Sequence, residues 1–398
     1  MGIALRVVAL AWLLVAMPAG AATFTRIADP AMPVPGWTAN TLFGAPAVDG
    51  GVVAFMSYTG NGHYGIYTGT GGALTTVVET ATPLPGGNGT FSYLSNPSIS
   101  GGNVAFVAND DSFQMSPAVY STLGGTVGLV ADATTLDPEG SGPLRPEDRT
   151  PSIDGQNVAF LARRGIGYRG LYTSVAGALE MTANETTPIP GGFGEISFPN
   201  DQPVLDGTQI AFRADSTSGF DGVAGVYVFD AGAVRVVADT TTPIPGGGGE
   251  LFNFFGPGLA IDSNNVVFAG GALLAGGIFA EIGGVLMLIS DTEGLREASI
   301  SGDHVAYRGI DDFGEGLYVY LGGPRQLVIH TGDLLDGKTT SAFYFGPQGF
   351  SGDDLAFTAY FDDGTYGVYL AQIPEPGTAL LVAAGLAAFA ARRHRTAH

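Results

Sequence analysis

The sequence has no cysteine, which excludes disulfides, thiolate-bound metals, thiol nucleophiles and a lipid-modified cysteine anchor. Charge is also scarce. Only 13% of the 398 residues are charged, and 16 Lys or Arg stand against 37 Asp or Glu. The formal charge of −21 becomes about −25 once Arg6, Arg392, Arg393 and Arg395 at the two ends are set aside. Such a surface repels nucleic acid and anionic lipid and attracts cations, so no nucleic-acid partner is expected. Of five histidines, His394 and His398 lie in the last residues, and His63, His304 and His330 are widely spaced. No Gly-x-Ser-x-Gly elbow, P-loop, His-Glu-x-x-His or complete calcium-loop pattern occurs. The sequence therefore assigns no catalytic residue and no metal cluster, and an enzyme is unsupported by it.

Glycine is abundant at 63 and proline reaches 24, yet 45% of residues are hydrophobic and 10% aromatic. A chain of this kind can bury a sizeable core. Many short strands joined by Gly/Pro turns satisfy both facts.

Both ends are addresses. Arg6, the apolar run Val7–Met17 and the small residues Pro18-Ala19-Gly20-Ala21-Ala22 form a secretory signal peptide, residues 1–22, cut after Ala21 or Ala22. At the other end Pro374-Glu375-Pro376-Gly377 leads into apolar Thr378–Ala391 and then Arg392-Arg393-His394-Arg395. As a helix the apolar run would span about 21 Å, short against a hydrocarbon core of about 30 Å. The succession of Pro374, Glu375, Pro376, apolar stretch and basic stop (Arg392, Arg393, Arg395) closely resembles the PEP-CTERM sorting signal of Gram-negative bacteria. This copy carries Ile373 and Gly377 where Val and Ser are commoner. The resemblance implies the Sec translocon, signal peptidase and a membrane-embedded exosortase as partners. It also implies a transient inner-membrane anchor, the basic end remaining cytoplasmic, before delivery to the outer surface or extracellular matrix. Residues 373–398 are read as this tail.

Between the ends lies a repeat. A Val-Ala-Phe-like strand ends at Phe55, Phe106, Phe160, Phe212, Phe268, Tyr307 and Phe357, at intervals of 51, 54, 52, 56, 39 and 50. A Gly-Val-Tyr-like strand follows each, ending at Tyr67, Tyr120, Tyr172, Tyr227, Phe279, Tyr318 and Tyr369. A third strand type, as in Val234–Asp239, comes next, and a proline-containing fourth, as in Phe252–Ile261, precedes the next Val-Ala-Phe. The third type is missing after Tyr369 but stands at the start as Phe24–Asp29. Four strands at about 50 residues per copy predict, for residues 23–372, an all-β seven-bladed propeller. The N-terminal strand completes the last blade and removes its free edge. The unit Pro151-Ser152-Ile153-Asp154-Gly155, Val158-Ala159-Phe160, Leu171-Tyr172 resembles the TolB-type, WD40-like propeller repeat, which implies fold and not partners.

With strands named A to D from the axis outward, two polar rings have structural readings. Asp49, Ser100, Asp154, Asp206, Asp262, Ser301 and Ser351, six of them followed by Gly, are read as A–B hairpin turns bonding their own backbone. Asp29, Glu79, Asp132, Asn184, Asp239, Asp291 and His330, where strand D ends, are read as Asx-type turns. The aromatics of strands B and C are read as inter-blade packing. The variable B–C loops carry the binding candidates: Asp110 and Asp111, Arg163, Arg164, Tyr168 and Arg169, Asp311 and Asp312, Asp362 and Asp363. Arg145, Glu147, Asp148 and Arg149 lie on the adjacent strand-A approach. These readings give an exported, monomeric surface or matrix propeller acting as a binding or structural module, with exopolysaccharide or another surface protein as its partner. The alternative is a carbohydrate-active enzyme on the same scaffold, and the aspartate pairs raise Ca²⁺ as an occupant.

Overall fold

The computed structural model describes residues 21–374 apart from 35, 39, 87–88, 111–116, 141, 165–167, 192–193, 199–201, 217–222, 273–274 and 292–296. The signal-peptide core, Asp111 and the tail from Glu375, with Pro376, Arg392, Arg393 and Arg395, lie outside the described residues. Seven antiparallel sheets follow one another along the chain. Their B and C strands are Val52–Thr59 and His63–Gly69 in blade 1, Asn103–Asp110 and Ala118–Ser121 in blade 2, Asn157–Arg164 and Tyr168–Val175 in blade 3, and Gln209–Ser216 and Ala224–Asp230 in blade 4. Blades 5 to 7 use Asn265–Ala272 and Ala275–Ile282, His304–Asp311 and Gly314–Tyr320, and Asp354–Phe361 and Tyr366–Gln372. The chain is an all-β seven-bladed propeller. Thr23–Ala28 pairs antiparallel with Tyr366–Gln372, Thr23 opposite Gln372, and supplies the outer strand of blade 7.

The repeated Gly-x-aromatic of strand C has a steric cause. A Cβ at Gly65, Gly170 or Gly367 would fall 2.5 to 2.8 Å from the ring of Tyr67, Tyr172 or Tyr369 two residues on. The glycine lets the ring lie flat over the backbone and stack on its strand-B partner. Phe55–Tyr67, Phe160–Tyr172, Tyr307–Tyr318 and Phe357–Tyr369 stack with centroids 5.5 to 6.0 Å apart. These pairs fill the layers between blades: Phe55 and Tyr67 share one core with Ala356 and Val368 of blade 7 and with Ile27 of the closing strand.

The A–B turn residues correct the sequence reading. In six of the seven, all but Ser351, the side chain bonds the next blade, Asp206 doing so through the Asn264 N–H at 3.4 Å. Asp49 accepts the N–H of Gly101 (2.6 Å), Ser100 that of Gly155 (3.1 Å), Asp154 that of Gly207 (2.7 Å) and Ser301 that of Gly352 (2.8 Å). Asp262 accepts from Gly302 in the same way. Glycine at positive φ, as at Gly101 and Gly155, turns each N–H toward the preceding blade. These bonds form a staple around one face of the ring. Asp154 also accepts the Ser100 hydroxyl at 2.9 Å. Asp154→Ala is expected to lower stability by about 0.5–1.5 kcal/mol, the net worth of a hydrogen bond whose exposed donor can turn to water, read by urea titration.

At the strand-D ends, Asp132, Asn184 and Asp239 do form Asx turns, each accepting the N–H two residues on at 2.8 Å. His330 does not. Its N–H is held by Asp333 (2.8 Å), which makes the turn, while its ring lies 3.2 Å from Asp311. Glu79 instead accepts the Tyr67 phenol at 2.7 Å.

The body also reaches one residue into the segment read as tail. Ile373 is 3% exposed within the blade 7 core. Its N–H donates to the Asp353 carbonyl at 2.7 Å.

Candidate functional site

Strand A is the inner edge of every blade, so its channel-side backbone groups have no ladder partner and proline is tolerated there. Pro46, Pro97, Pro151 and Pro203 stand three residues before the turn residue in blades 1 to 4. At that register blade 7 has Gln348. Its amide crosses the ring axis and donates to Ser152 Oγ of blade 3 at 3.1 Å. The crossing divides the channel into two spaces, both lined by Gln348. The larger, about 630 Å³, opens on the face of the B–C and D–A connections, and the smaller, about 120 Å³, lies among the turn residues of the opposite face. The ring is thus a cup with a floor. Gln348 Oε1 and Asn96 Oδ1 are buried there with no hydrogen-bond partner among the described residues.

The wall of the cup carries Tyr93, Asp148, Arg149, Gln202, Glu297 and Tyr344. Desolvation raises the Asp148 carboxyl above the usual range, with Arg149 and a hydrogen bond from Tyr93 acting against it. Burial, then the nearby Asp148, pushes the Tyr93 phenol up to about 12, so it stays a donor at neutral pH. On the other side of the mouth Glu297 is held by Arg308, which bonds both of its carboxylate oxygens. Arg308 also bonds Glu315 at 2.9 Å and the Phe343 carbonyl at 3.2 Å, tying blade 6 to blade 7.

Between these charged groups runs an arc of tyrosines. Strands B and C place one residue each at the rim, three past the B aromatic and three before the C aromatic. In blade 1 these are Tyr58 and Tyr64, 4.5 Å apart, and Tyr64 meets Tyr93 of blade 2 at 5.2 Å. In blade 7 they are Tyr360 and Tyr366, 5.0 Å apart, and Tyr360 lies in electrostatic contact with Tyr344. All six are partly exposed. Burial raises the phenols of Tyr64, Tyr344 and Tyr360, which keeps them protonated.

The residues singled out from the sequence are not brought together into one site. Arg163 and Arg169 both bond Glu147 at 2.7 Å, and Arg169 also bonds the Phe198 carbonyl of blade 4. Arg164 pairs with Asp137 (3.5 Å) and Glu139 (2.8 Å), its guanidinium 5.8 Å from the exposed Tyr168 ring. Asp311 accepts the Tyr318 phenol at 2.6 Å, which with the Phe313 N–H lowers its carboxyl to about 2. Asp363 is held near 2 by the hydroxyl and N–H of Thr365, and pairs with Lys338 at 3.1 Å. Asp312 and Asp362 are exposed at loop tips, and the Asp110 carbonyl receives the Ser92 hydroxyl at 2.5 Å. Pro374 is partly buried where the chain leaves the body. Among the described residues no three acids or histidines gather into a metal-holding group.

The apolar stretch between Pro374 and a basic end lies outside the described residues, and its sequence has a known counterpart. Residues 372–395 match the PEP-CTERM protein-sorting motif. The chain carries an exosortase sorting signal. PEP-CTERM sorting implies export and a membrane-anchored stage at which exosortase acts. No curated protein matches the chain.

Solved structures match the propeller. The β-propeller domain of the Trilobed protease from Pyrococcus furiosus is similar at 11% identity and a TM-score of 0.52, covering 83% of this chain and 95% of that one. That domain is described as having an open velcro topology, whereas the PEP-CTERM chain closes its ring with Thr23–Ala28. The polysaccharide lyase Uly1 is similar at 10% identity and a TM-score of 0.51, covering 90% of this chain and all 100% of that one. Identities this low establish fold alone.

Proposed function

We propose that the exported body is a surface or matrix module that binds a glycan polymer, such as exopolysaccharide, across the mouth of the cup. The observation that carries this reading is the tyrosine arc of blades 7, 1 and 2, ending on the Tyr93–Asp148 pair. Half-exposed tyrosines offer flat apolar faces and protonated hydroxyls together, the combination that suits sugar rings with one C–H face and a hydroxyl periphery. A concave site with a few convergent polar groups is the usual form of a binding pocket. The strongly acidic body favours a neutral or weakly charged polymer over a polyanion.

Binding is preferred to glycoside cleavage because that chemistry uses two carboxyl groups flanking the bond. Among the described residues the cup wall has two, Asp148 and Glu297, and Glu297 is occupied by Arg308. The test is co-sedimentation of the mature body with matrix polysaccharide. Tyr64→Ala and Tyr344→Ala are each expected to weaken binding about tenfold, roughly 1.4 kcal/mol. Affinity should fall as the pH drops through the raised titration of Asp148, and Asp148→Asn should remove that dependence. Unaltered binding by both tyrosine variants, or none by the wild type, would overturn the reading. Release of new reducing ends, lost in Asp148→Asn, would favour the enzyme instead.

A further inference from the structure

Both ends of the folded body leave it at one corner. Thr23 lies opposite Gln372 at the seam, and Ala22 packs against the same core cluster that buries Ile373. The Ile373 N–H is fixed to the Asp353 carbonyl, and Asp353 belongs to the A–B turn of blade 7, between Ser351 and the start of strand B at Asp354. That turn is on the face opposite the mouth of the cup, because strand B runs from the A–B turns toward the B–C connections that frame the mouth.

The tether beyond this point is short. The apolar run begins at Thr378, so five Cα steps separate it from the anchored Ile373, a span of at most about 18 Å. The polar layer of a bilayer takes up about 5–8 Å of that. The eight residues Asp354–Phe361 give blade 7 a height of about 26 Å. What remains of the tether is at most about half the distance from the exit corner to the opposite face.

We infer that, while the sorting tail holds the protein in the membrane, the A–B-turn corner of blade 7 is the part of the body nearest the bilayer, and the mouth of the cup points away from lipid. The short tether and the buried Ile373 impose this posture, whatever the cup binds. The acidic body, repelled by anionic headgroups, would stand upright on its corner and not adhere by a flank.

The absence of cysteine makes the test direct, since a single introduced thiol is the only labelling site. The full chain would be placed in phosphatidylcholine vesicles containing headgroup spin-labelled lipid, with a fluorophore at Asp303→Cys, in the A–B turn of blade 6, or at Asp362→Cys, in the B–C loop of blade 7. Both positions are exposed. Quenching is expected to be several-fold stronger at Asp303→Cys. Equal or reversed quenching would overturn the inference. Inserting twenty Gly/Ser residues after Ile373, a flexible reach of about 25 Å, should erase the difference. A difference that survives the insertion would show that the tether does not set the posture, and would equally overturn it.

Discussion

Removal of Thr23–Gly36 is expected to abolish the cooperative melting of the body and to produce soluble aggregates in size-exclusion chromatography. The segment does more than cap an edge. Ile27 and Ala28 are fully buried in the core shared by blades 1 and 7, where Met32 and Val34 also pack. Burying one such aliphatic side chain contributes about 1.5–3 kcal/mol, so losing several of them approaches the whole stability of about 5–15 kcal/mol typical of a domain. The deletion would also strip Tyr366–Gln372 of its outer partner and leave an unpaired edge available to other copies. The Phe24 ring, 6.3 Å from Phe357, would go too. Unchanged melting with a monomeric elution profile would refute closure by this strand.

Arg308→Met is expected to be the most damaging single substitution at the mouth, costing about 3–5 kcal/mol. The arginine is 9% exposed and bonds Glu297, Glu315 and the Phe343 carbonyl at once. Methionine keeps the apolar stem but leaves two carboxylates, 15% and 23% exposed, without their cation. Glu315 keeps the Phe343 N–H at 2.9 Å, but both acids lose the guanidinium that offsets their charge. That loss weighs only while the acids are ionised, so it shrinks as they are protonated. Urea midpoints should converge between wild type and variant on acidification, and adding Glu297→Gln should recover part of the loss at neutral pH. A deficit independent of pH would point to lost packing instead.

The architecture was legible because each blade repeats the same solution. Val-Ala-Phe and Gly-x-aromatic recur since every blade stacks a ring across strands B and C, and in six of the seven a glycine admits it, blade 2 having Ala118 there. The missing outer strand after Tyr369 and its appearance at Phe24 were likewise visible in the pattern. What periodicity could not convey is where a short polar side chain points. Asp154 in an Asp-Gly pair looks like a self-contained turn, and only the spacing of adjacent blades brings Gly207 within 2.7 Å of it. The surface proposed for binding differs from the loop candidates of the sequence for a related reason. Loop-tip acids such as Asp363 drew attention by their variability but are taken up by their own loops. The signal for the proposed cup is a break in the repeat: Gln348 where blades 1 to 4 have proline, and Tyr58, Tyr64, Tyr360 and Tyr366 at one rim register where blade 3 has Arg163 and Arg169.

The seam has a further consequence in time. Thr23 opens the first strand of the body in chain order, and its partner Gln372 closes the last. Nearly the whole chain forms the loop between them, and although closure entropy grows only slowly with loop length, such long-range contacts delay folding. The final blade cannot be completed until Tyr366–Gln372 has emerged, immediately ahead of the sorting motif that begins at residue 372. The last strand of the ring and the matched sorting motif thus meet at one residue, so the ring needs nothing of the chain that lies deeper in the motif than Ile373.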